Sequence, residues 1–409
     1  MTTRTGCIGH KAKLILGKKS VQLATLPLAI AMALPVNALE PAAVDMGPFR
    51  LVPTLGISNG YDSNLFLTDG NEKESWVTII NPQVQFIAEN GNDSYSITYG
   101  VNHGIVQDSR DDDYTDHSLR GDINLELNSR NYLDISAAFT KNHEPRGTGA
   151  NQGNDATSNP VPAEYDERTF DVAYTYGGKE ADGRLKVAAG FLDKEYTNFL
   201  DQNAARDRKN NYVAGTFYYR VAPKTQAIFE IKRKKIDYDL TTSPLDSSET
   251  FYLVGATWEA TAQTSGTVKI GLAEKDFDST NLQDDDSVSW EVSVDWSPIE
   301  RTVFTLATSK LPEETDGTGT YIDRTGVNLS WSHQWSERFK TRLSAGRRDG
   351  EYIGNAREDE EDTWGISLMY NMRRWLDLSL NYDYSDRSSN ISGLDYDKNT
   401  IYLRADVSL

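Results

Sequence analysis

The chain lacks several features that would define common protein classes. Its 409 residues contain a single cysteine, Cys7, so a disulfide framework is excluded. A helical membrane protein would need several apolar runs of about 20 residues, and only residues 21–36 come close. Basic residues are few, 42 against 61 acidic ones, and the net charge of −19 argues against nucleic acid as a partner. Aromatic residues are plentiful, with 21 Tyr, 13 Phe and 8 Trp, which argues against a disordered chain.

The amino-terminal segment has the organisation of an export signal. Residues 1–20 carry basic side chains and no acidic one, and residues 21–36 are mostly apolar. The next residues, ending at Ala38, form the small-x-small pattern that a signal peptidase accepts. These features predict a signal peptide over residues 1–38 whose cleavage also removes Cys7. A membrane anchor is the alternative, but the apolar stretch is short for a span.

Beyond residue 48, the dominant pattern is the alternation of apolar and polar side chains. Between Asp286 and Ser297, apolar side chains fall on every second residue: Val288, Trp290, Val292, Val294 and Trp296. Alternation with a period of two gives a β-strand one apolar and one polar face. Runs of this kind predict about eighteen strands, and no stretch of similar length has the 3.6-residue stripe of a helix.

The predicted connections between these strands alternate between short and long. Short ones such as 90–93 and 373–374 contrast with long polar ones such as 143–165. Tight turns at one end and long loops at the other are typical of an outer-membrane barrel. The sequence therefore predicts an all-β protein, a transmembrane antiparallel up-and-down β-barrel over residues 49–409. A short periplasmic segment over residues 39–48 precedes it.

A soluble β-sandwich is the alternative fold, because its strands also alternate. The predicted strands are longer than the 5–6 residues typical of soluble sheets and match a tilted membrane-spanning strand. Aromatic residues also collect near the predicted strand ends, as the interface girdles of a membrane barrel require. These residues are Trp76, Tyr132, Tyr176, Tyr219, Trp258, Trp296, Trp364 and Trp375.

The last predicted strand carries a further signal. Between Ile401 and Leu409, apolar residues alternate with polar ones up to the final position. This pattern resembles the carboxy-terminal strand that the bacterial barrel-assembly machinery recognises, so that machinery is an expected partner. Such strands usually end in Phe, and Leu409 departs from that pattern.

Three short motifs resemble the putative β-barrel porin 2 family. They are Asn-Gly-Tyr-Asp-Ser-Asn-Leu-Phe at 59–66, Ile-Ile-Asn-Pro at 79–82 and Glu-Tyr-Thr-Asn at 195–198. The resemblance implies a place in the bacterial outer membrane, in contact with lipid and lipopolysaccharide. It also implies a channel for export or passage of exopolysaccharide or capsular polysaccharide, with a periplasmic export protein as a further partner. A general or solute-specific diffusion porin is the first alternative, and an outer-membrane hydrolase or surface structural barrel is the second.

The polar strand faces would line the channel of such a barrel, since roughly 16–18 strands leave an aqueous lumen. The predicted basic lining residues are Lys186, Lys194, Lys232, Lys234, Lys269, Lys275, Lys340, Arg342 and Arg348. The predicted acidic lining residues are Asp122, Glu126, Asp134, Glu291, Asp295, Asp377 and Asp383. Opposed walls would set up a transverse field that discriminates among solutes. The alternative is that these charges pair across neighbouring strands and only keep the lumen hydrated.

One connection is long enough to narrow the predicted lumen. The segment 143–165 contains Gly147, Gly149, Pro160 and Pro162, and it is the candidate constriction. An inward fold and a solvated external loop are both compatible with its sequence.

Catalytic and metal-binding patterns are scarce. The sequence has no Gly-x-Ser-x-Gly elbow, phosphate loop or His-Glu-x-x-His motif. His103, His117 and Ser118 fall near the long-loop ends of adjacent predicted strands, but chance proximity is the simpler interpretation. We therefore predict a protein that is not an enzyme and has no cofactor or metal site. Three acidic runs are predicted to lie in loops, either solvated or bound to Ca²⁺: 111–113, 284–286 and 358–362.

Overall fold

Almost the whole described chain is β-strand, arranged as one antiparallel barrel. The computed structural model describes residues 43–259 and 263–408. The predicted signal peptide and the last residue of the predicted carboxy-terminal strand, Leu409, lie outside the described residues. No helix in the described part of the chain is long and apolar enough to cross a membrane.

The strands follow one another along the chain with little else between them. They are β1 (Val44–Met46), β2 (Phe49–Asp62), β3 (Ser75–Asn90), β4 (Asp93–Val106), β5 (Tyr114–Asn128), β6 (Asn131–Glu144), β7 (Ala163–Tyr176), β8 (Gly183–Tyr196), β9 (Arg208–Ala222), β10 (Thr225–Tyr238), β11 (Ser247–Trp258), β12 (Thr264–Phe277), β13 (Asp285–Ile299), β14 (Thr302–Glu314), β15 (Tyr321–Gln334), β16 (Phe339–Ile353), β17 (Glu358–Arg373), β18 (Leu376–Ser389) and β19 (Tyr396–Ser408). The helical turns are α1 (Leu200–Asn203) and the 3₁₀ turns Arg110–Asp112, Gly153–Asp155 and Ala204–Arg206.

The strands β2 to β19 form a closed cylinder. Each pairs antiparallel with the next, and β19 returns to β2 in a register that runs from Thr400 opposite Asp62 to Ser408 opposite Thr54. The predicted barrel of eighteen strands is therefore confirmed. Closure pairs the strands β2 to β19 all round the cylinder, which is the condition for a β-structure in lipid.

The short strand β1 lies in the segment that we predicted to be a periplasmic extension. It pairs with the start of β2, with Val44 opposite Leu51 and Met46 opposite Phe49, and Gly47 makes the turn at a φ of 75°. The pairing covers the part of the β2 edge that lies beyond the end of β19. Part of the segment 39–48 thus extends the sheet.

The two faces of each barrel strand differ as the alternation predicts. In β4, Tyr95, Ile97 and Tyr99 are 38%, 56% and 46% exposed on the outer face. The polar residues between them face the lumen. Of the predicted girdle aromatics, Trp76, Tyr176, Tyr219, Trp296, Trp364 and Trp375 are exposed in the same way.

Tyr132 is an exception among the predicted girdle residues. It is paired in register with Glu126, and the ammonium nitrogen of Lys179 lies 5.5 Å from its ring centroid. Both positions belong to the lumen face, so the prediction of a membrane-interface role for Tyr132 is wrong. The alternation itself indicates this face, because Tyr132 lies two residues before Asp134, a predicted lumen residue.

Two of the acidic runs that we predicted to lie in loops reach into strands, since β13 begins at Asp285 and β17 at Glu358. The acidic run 358–362 is the first part of β17, which leaves only residues 354–357 between β16 and β17. The reason is charge pairing, since Arg347 lies opposite Asp362 in register and its guanidinium contacts Glu360 and Asp362. Cross-strand pairs of opposite charge stabilise a sheet, so an acidic run is compatible with a strand outside the lipid.

The lumen is filled at the long-loop end and open toward the short-turn end. Buried tyrosines occupy the long-loop ends of the strands: Tyr165, Tyr196, Tyr238, Tyr321, Tyr352 and Tyr396. Nearer the short turns, lumen residues such as Arg120, Asp134, Asp295 and Asn328 are exposed. Because short turns lie on the periplasmic side of outer-membrane barrels, the filled end is the extracellular one.

Candidate functional site

The loop between β6 and β7, residues 145–162, crosses the lumen and is called the crossing loop below. At its middle, the amide nitrogen Nε2 of Gln152 donates to Asp316 at 2.7 Å. The amide oxygen of Gln152 accepts from Arg357 at 2.7 Å and from Arg387 at 2.9 Å. These partners belong to the part of the barrel formed by β14 to β18, far around the wall from β6 and β7. Of the two alternatives for segment 143–165, the structure shows the inward one.

The first residues of the crossing loop are fixed against two neighbouring loops. The Nε of Arg146 donates to the Asp112 carboxylate at 2.7 Å, and its guanidinium lies 4.4 Å above the Phe66 ring. Gly147 has a φ of +87°, and a Cβ there would be 1.8 Å from the Phe66 carbonyl oxygen. Only glycine combines that backbone conformation with so close an approach. The start of the crossing loop therefore depends on Gly147.

This dependence gives a first testable prediction. In Gly147→Ala we expect the methyl group to push the start of the crossing loop away from Phe66 and to expose the bond after Arg146, whose side chain is 11% exposed. Trypsin should then cleave after Arg146 at least about tenfold faster, since proteolysis follows the population of the locally open state. Mass spectrometry of timed digests measures this rate.

The matched control is Gly70→Ala. Gly70 has a similar φ of +81°, but a Cβ there would meet nothing within 4 Å. Both variants carry the same backbone strain, and only Gly147→Ala adds the collision. Equal cleavage after Arg146 in the two variants would show that the contact with Phe66 does not hold the loop.

The far part of the crossing loop packs backbone against backbone. Gly153 has a φ of +56°, and a Cβ there would lie 2.2 Å from the Gly393 carbonyl oxygen. On another side, Asn151 and Asn159 both donate to the side-chain oxygen of Gln202, at 3.1 and 3.2 Å. The crossing loop thus contacts external loops from much of the barrel: 63–74, 107–113, 197–207, 315–320, 354–357 and 390–395.

A buried ion pair joins the end of β6, where the crossing loop begins, to the β8–β9 connection. Arg206 binds the Glu144 carboxylate with both terminal nitrogens, at 2.8 and 2.9 Å, and Tyr196 donates to the same carboxylate at 3.1 Å. Burial alone would lower the pKa of Arg206, but the Glu144 carboxylate outweighs it and the pKa is raised. Removal of either charge would leave the other buried and unpaired.

The guanidinium groups of Arg146 and Arg357 are also bound by carboxylates, those of Asp112 and Asp359. The hydrogen bond that Arg146 donates to the Asp112 carboxylate raises the pKa of Arg146. For Arg357, burial lowers the pKa and the hydrogen bond to Asp359 outweighs it, so that the net shift is upward. These arginines therefore keep their charge at every pH at which a bacterium lives. Acid can weaken the pairs only by protonating their carboxylates.

A second buried cluster fills the lumen beside β10 to β12. Lys275 lies 2.8 Å from the Glu249 carboxylate and 3.3 Å from that of Glu314. Lys234 lies 2.6 Å from Glu249 and 3.5 Å from Glu314, and Tyr238 donates to Glu314 at 2.9 Å. Lys275, Glu249 and Glu314 have side chains that are 5% exposed or less. In this arrangement, the attraction between opposite charges offsets the free-energy cost of removing them from water.

The end of β14 supplies Glu314 because it leaves the barrel wall. The pairing of β13 with β14 ends at Trp290 opposite Lys310. Beyond that pair, Leu311 packs on a small apolar cluster of the lumen face, which consists of Phe251, Leu253 and Ala273. The last residues of β14 thus lean into the lumen, and they narrow it together with the crossing loop.

The register places every predicted basic lining residue on the lumen face, but their surroundings differ. Lys269 lies 3.0 Å from both Glu230 and Glu291. Lys194 lies 3.9 Å from the Tyr165 ring centroid, and Lys232 lies 5.2 Å from that of Tyr212. The remaining basic residues, with their register partners, are Lys186 opposite Thr175, Lys340 opposite Gln334 and Met369, Arg342 opposite Ser332 and Ser367, and Arg348 opposite Glu361.

The predicted acidic lining residues also lie on the lumen face. Asp122 binds Arg120 at 2.9 and 2.6 Å, and Glu126 lies 3.3 Å from Lys179. The remaining acidic residues are Asp134, which is exposed, Glu291 beside Lys269, Asp295, which accepts from Thr305 at 2.6 Å, Asp377, which accepts from Asn371 at 2.7 Å, and Asp383 opposite Gly365. Many lumen charges are therefore paired with near neighbours. That opposed walls guide solutes stays a prediction.

No sequence pattern marks the residues that hold the crossing loop. The partners of Gln152 lie 164 to 235 positions away along the chain. Glu144, Arg206, Glu249 and Glu314 each stand in an ordinary polar pattern at a strand end. Only closure of the barrel brings such groups together, so a local pattern cannot mark them.

The possible Ser–His arrangement is not formed. His117 is hydrogen-bonded to the Tyr99 hydroxyl at 2.9 Å on the outer face, whereas Ser118, its neighbour in β5, faces the lumen. His103 is hydrogen-bonded to Thr115 at 2.9 Å. Among the described residues, no group of three or more His, Cys, Asp or Glu side chains could hold a metal ion.

Some solved structures are weakly similar to this chain. Three solved structures from Pseudomonas aeruginosa are similar over 88% of this chain: OccK11 (OpdR), with 13% identity, 96% of that chain covered and a TM-score of 0.48; the outer membrane protein OpdK, with 12%, 99% and 0.49; and OprD, with 11%, 95% and 0.46. No curated protein matches this sequence significantly.

The match to a sequence family is more specific than the similarity to these solved structures. The family model described as putative beta-barrel porin 2 matches residues 37–409, which is nearly the whole chain. The resemblance of the three short motifs is thereby confirmed. The chain belongs to the putative β-barrel porin 2 family and is a porin-like β-barrel of the outer membrane.

Proposed function

We propose that small hydrophilic solutes cross the outer membrane through this lumen and that the crossing loop limits which of them pass. The observation that carries the proposal is the course of residues 145–162 across the extracellular end, where Gln152 contacts Asp316, Arg357 and Arg387. A polar lumen face in a barrel of this size supports a water-filled path. The general porin, our first alternative from the sequence, is the function that this geometry supports best.

The test is conductance of the purified full-length protein. In a planar lipid bilayer we expect a steady current, and in proteoliposome swelling we expect small sugars to enter faster than larger ones. We expect a size limit because the crossing loop narrows the lumen, and the narrowest section sets the size of the largest solute that can pass. An insulating barrel, with neither current nor swelling after correct insertion, would contradict the proposal.

Passage of polysaccharide, which the family resemblance implied, is the second candidate. It is favoured by the hydroxyl and amide side chains that line the short-turn half of the lumen, such as Ser332, Ser367 and Asn328, since these groups hydrogen-bond sugars. An extended sugar chain would require the crossing loop to leave the mouth. Loss of surface polysaccharide in a strain that lacks this protein, with restoration by the intact gene, would favour this candidate. Unchanged polysaccharide would count against it.

A further inference from the structure

Lys340 and Arg342 differ from most of the other lumen cations in their surroundings. Both lie near the beginning of β16, two residues apart, so their side chains project from the same face about 7 Å from each other. The preceding turn is one of the short connections, which places the pair in the open, short-turn half of the lumen. Both side chains are half-buried in the wall.

Among the described residues, no carboxylate faces this pair from the adjacent strands β15 and β17. The residues opposite Lys340 are Gln334 and Met369, and those opposite Arg342 are Ser332 and Ser367. Asp377 and Asp383, on the lumen face of β18, lie two strands away, which is about 10 Å by strand spacing alone. The Asp377 carboxylate already accepts from Asn371 at 2.7 Å.

Lys269 and Lys275, unlike Lys340 and Arg342, have carboxylates beside them. Those ammonium groups each lie within about 3.3 Å of two carboxylates, so their charge is compensated inside the protein. For Arg342, the Nε hydrogen is buried without a hydrogen-bond partner among the described residues. The protein therefore supplies no acceptor that would compensate this guanidinium at its Nε.

We propose that Lys340 and Arg342 form a binding site for a small oxyanion, a phosphate or carboxylate, that is entered from the periplasmic side. A guanidinium presents a planar fork that matches two oxygens of such a group, and the ammonium of Lys340 adds a second charge. Ser332, Ser367 and Gln334 surround the pair with further hydrogen-bonding groups. The crossing loop narrows the other end of the lumen, so the short-turn end offers the wider approach to the pair.

This inference deepens the proposed function by naming anions as a solute class, but the binding step does not depend on conduction. The test is therefore a binding measurement on the full chain in detergent. Inorganic phosphate and acetate are titrated separately, with line broadening of the ³¹P signal for phosphate and of the methyl ¹H signal for acetate. The two probes distinguish a preference for phosphate from one for carboxylate.

The decisive variant is the double substitution Lys340→Gln and Arg342→Gln. Loss of two charge-assisted donors should weaken binding of the preferred anion at least about tenfold. The matched control is Lys186→Gln with Lys269→Gln, which removes the same charge from the same lumen at other places. We expect that control to bind within about threefold of the wild type, since its lost charges do not touch the anion.

The outcomes separate the two proposals. Equal weakening in both double variants would mean that only the overall charge of the lumen matters, which would overturn the site. No broadening by either anion in the wild type would overturn it as well. Anion binding that depends on Lys340 and Arg342 in a barrel that carries no current would support the site and contradict the proposed channel. A folded, heat-modifiable band in gel electrophoresis shows that each variant has formed its barrel.

Discussion

Replacement of residues 148–160 by a short Gly-Ser linker should raise the conductance of the barrel at least roughly threefold above that of the wild type. The reason is that conductance follows the free cross-section of the narrowest part of the lumen. The replacement removes Gln152 and with it the hydrogen bonds to Asp316, Arg357 and Arg387. It leaves the strands β6 and β7 and the ion pair between Glu144 and Arg206 in place. Single-channel recording in a planar bilayer measures the change.

The control for this replacement is an equivalent exchange of residues 279–283 in the β12–β13 loop. That loop is held to its own strand, because Asp284 accepts from the Phe277 backbone N–H at 2.9 Å. Its replacement should leave conductance unchanged. If both replacements raise the conductance equally, or if neither does, the crossing loop is not the element that limits the path.

Glu249→Ala should lower the free energy of unfolding by about 3–5 kcal/mol, which is the usual cost of breaking a buried ion pair from one side. The Glu249 side chain is 1% exposed, and its carboxylate lies within 2.8 Å of both Lys234 and Lys275. Without it, two buried ammonium groups are left with Glu314 alone. Urea unfolding in lipid vesicles, followed by tryptophan fluorescence, measures the loss.

The matched control for Glu249→Ala lies on the outer face of the barrel. Glu360 contacts Arg347, but its side chain is 46% exposed, so Glu360→Ala should cost about 1 kcal/mol or less. The double variant Glu249→Gln with Lys275→Met removes one charge of each sign and should recover much of the stability. A loss in Glu249→Ala no larger than in Glu360→Ala would show that the buried cluster does not stabilise the barrel.

The fold could be predicted because its signal is repeated in every strand. The alternation seen in residues 286–297 corresponds to β13, with Val288 and Trp296 exposed on the outer face. The same rule placed Lys340 and Arg342 on the lumen face before any strand was paired. The strand ends were less certain, as the run 358–362 shows, because charged residues outside the lipid are compatible with either a strand or a loop.

The site could be predicted only in part. The length of segment 143–165 predicts a possible constriction, but its sequence is compatible with an inward and an external course. Its inward course rests on contacts such as that of Gln152 with Arg387, which joins residues 235 positions apart. The signal peptide over residues 1–38 and the polysaccharide cargo stay predictions.

The sequence by itself therefore determined that this chain makes long strands, how many there are and which side chains point to water. The pleat of a strand is a local property, so alternation within ten residues is enough to set it. The tertiary structure alone decided which lumen charges have a carboxylate beside them. Lys269 is paired and Lys340 is not because the register of neighbouring strands puts Glu230 and Glu291 beside one and Gln334 and Met369 beside the other. Nothing in the residues that flank either lysine distinguishes them, since the electrostatic field inside a closed cylinder is set by strands that are distant in sequence.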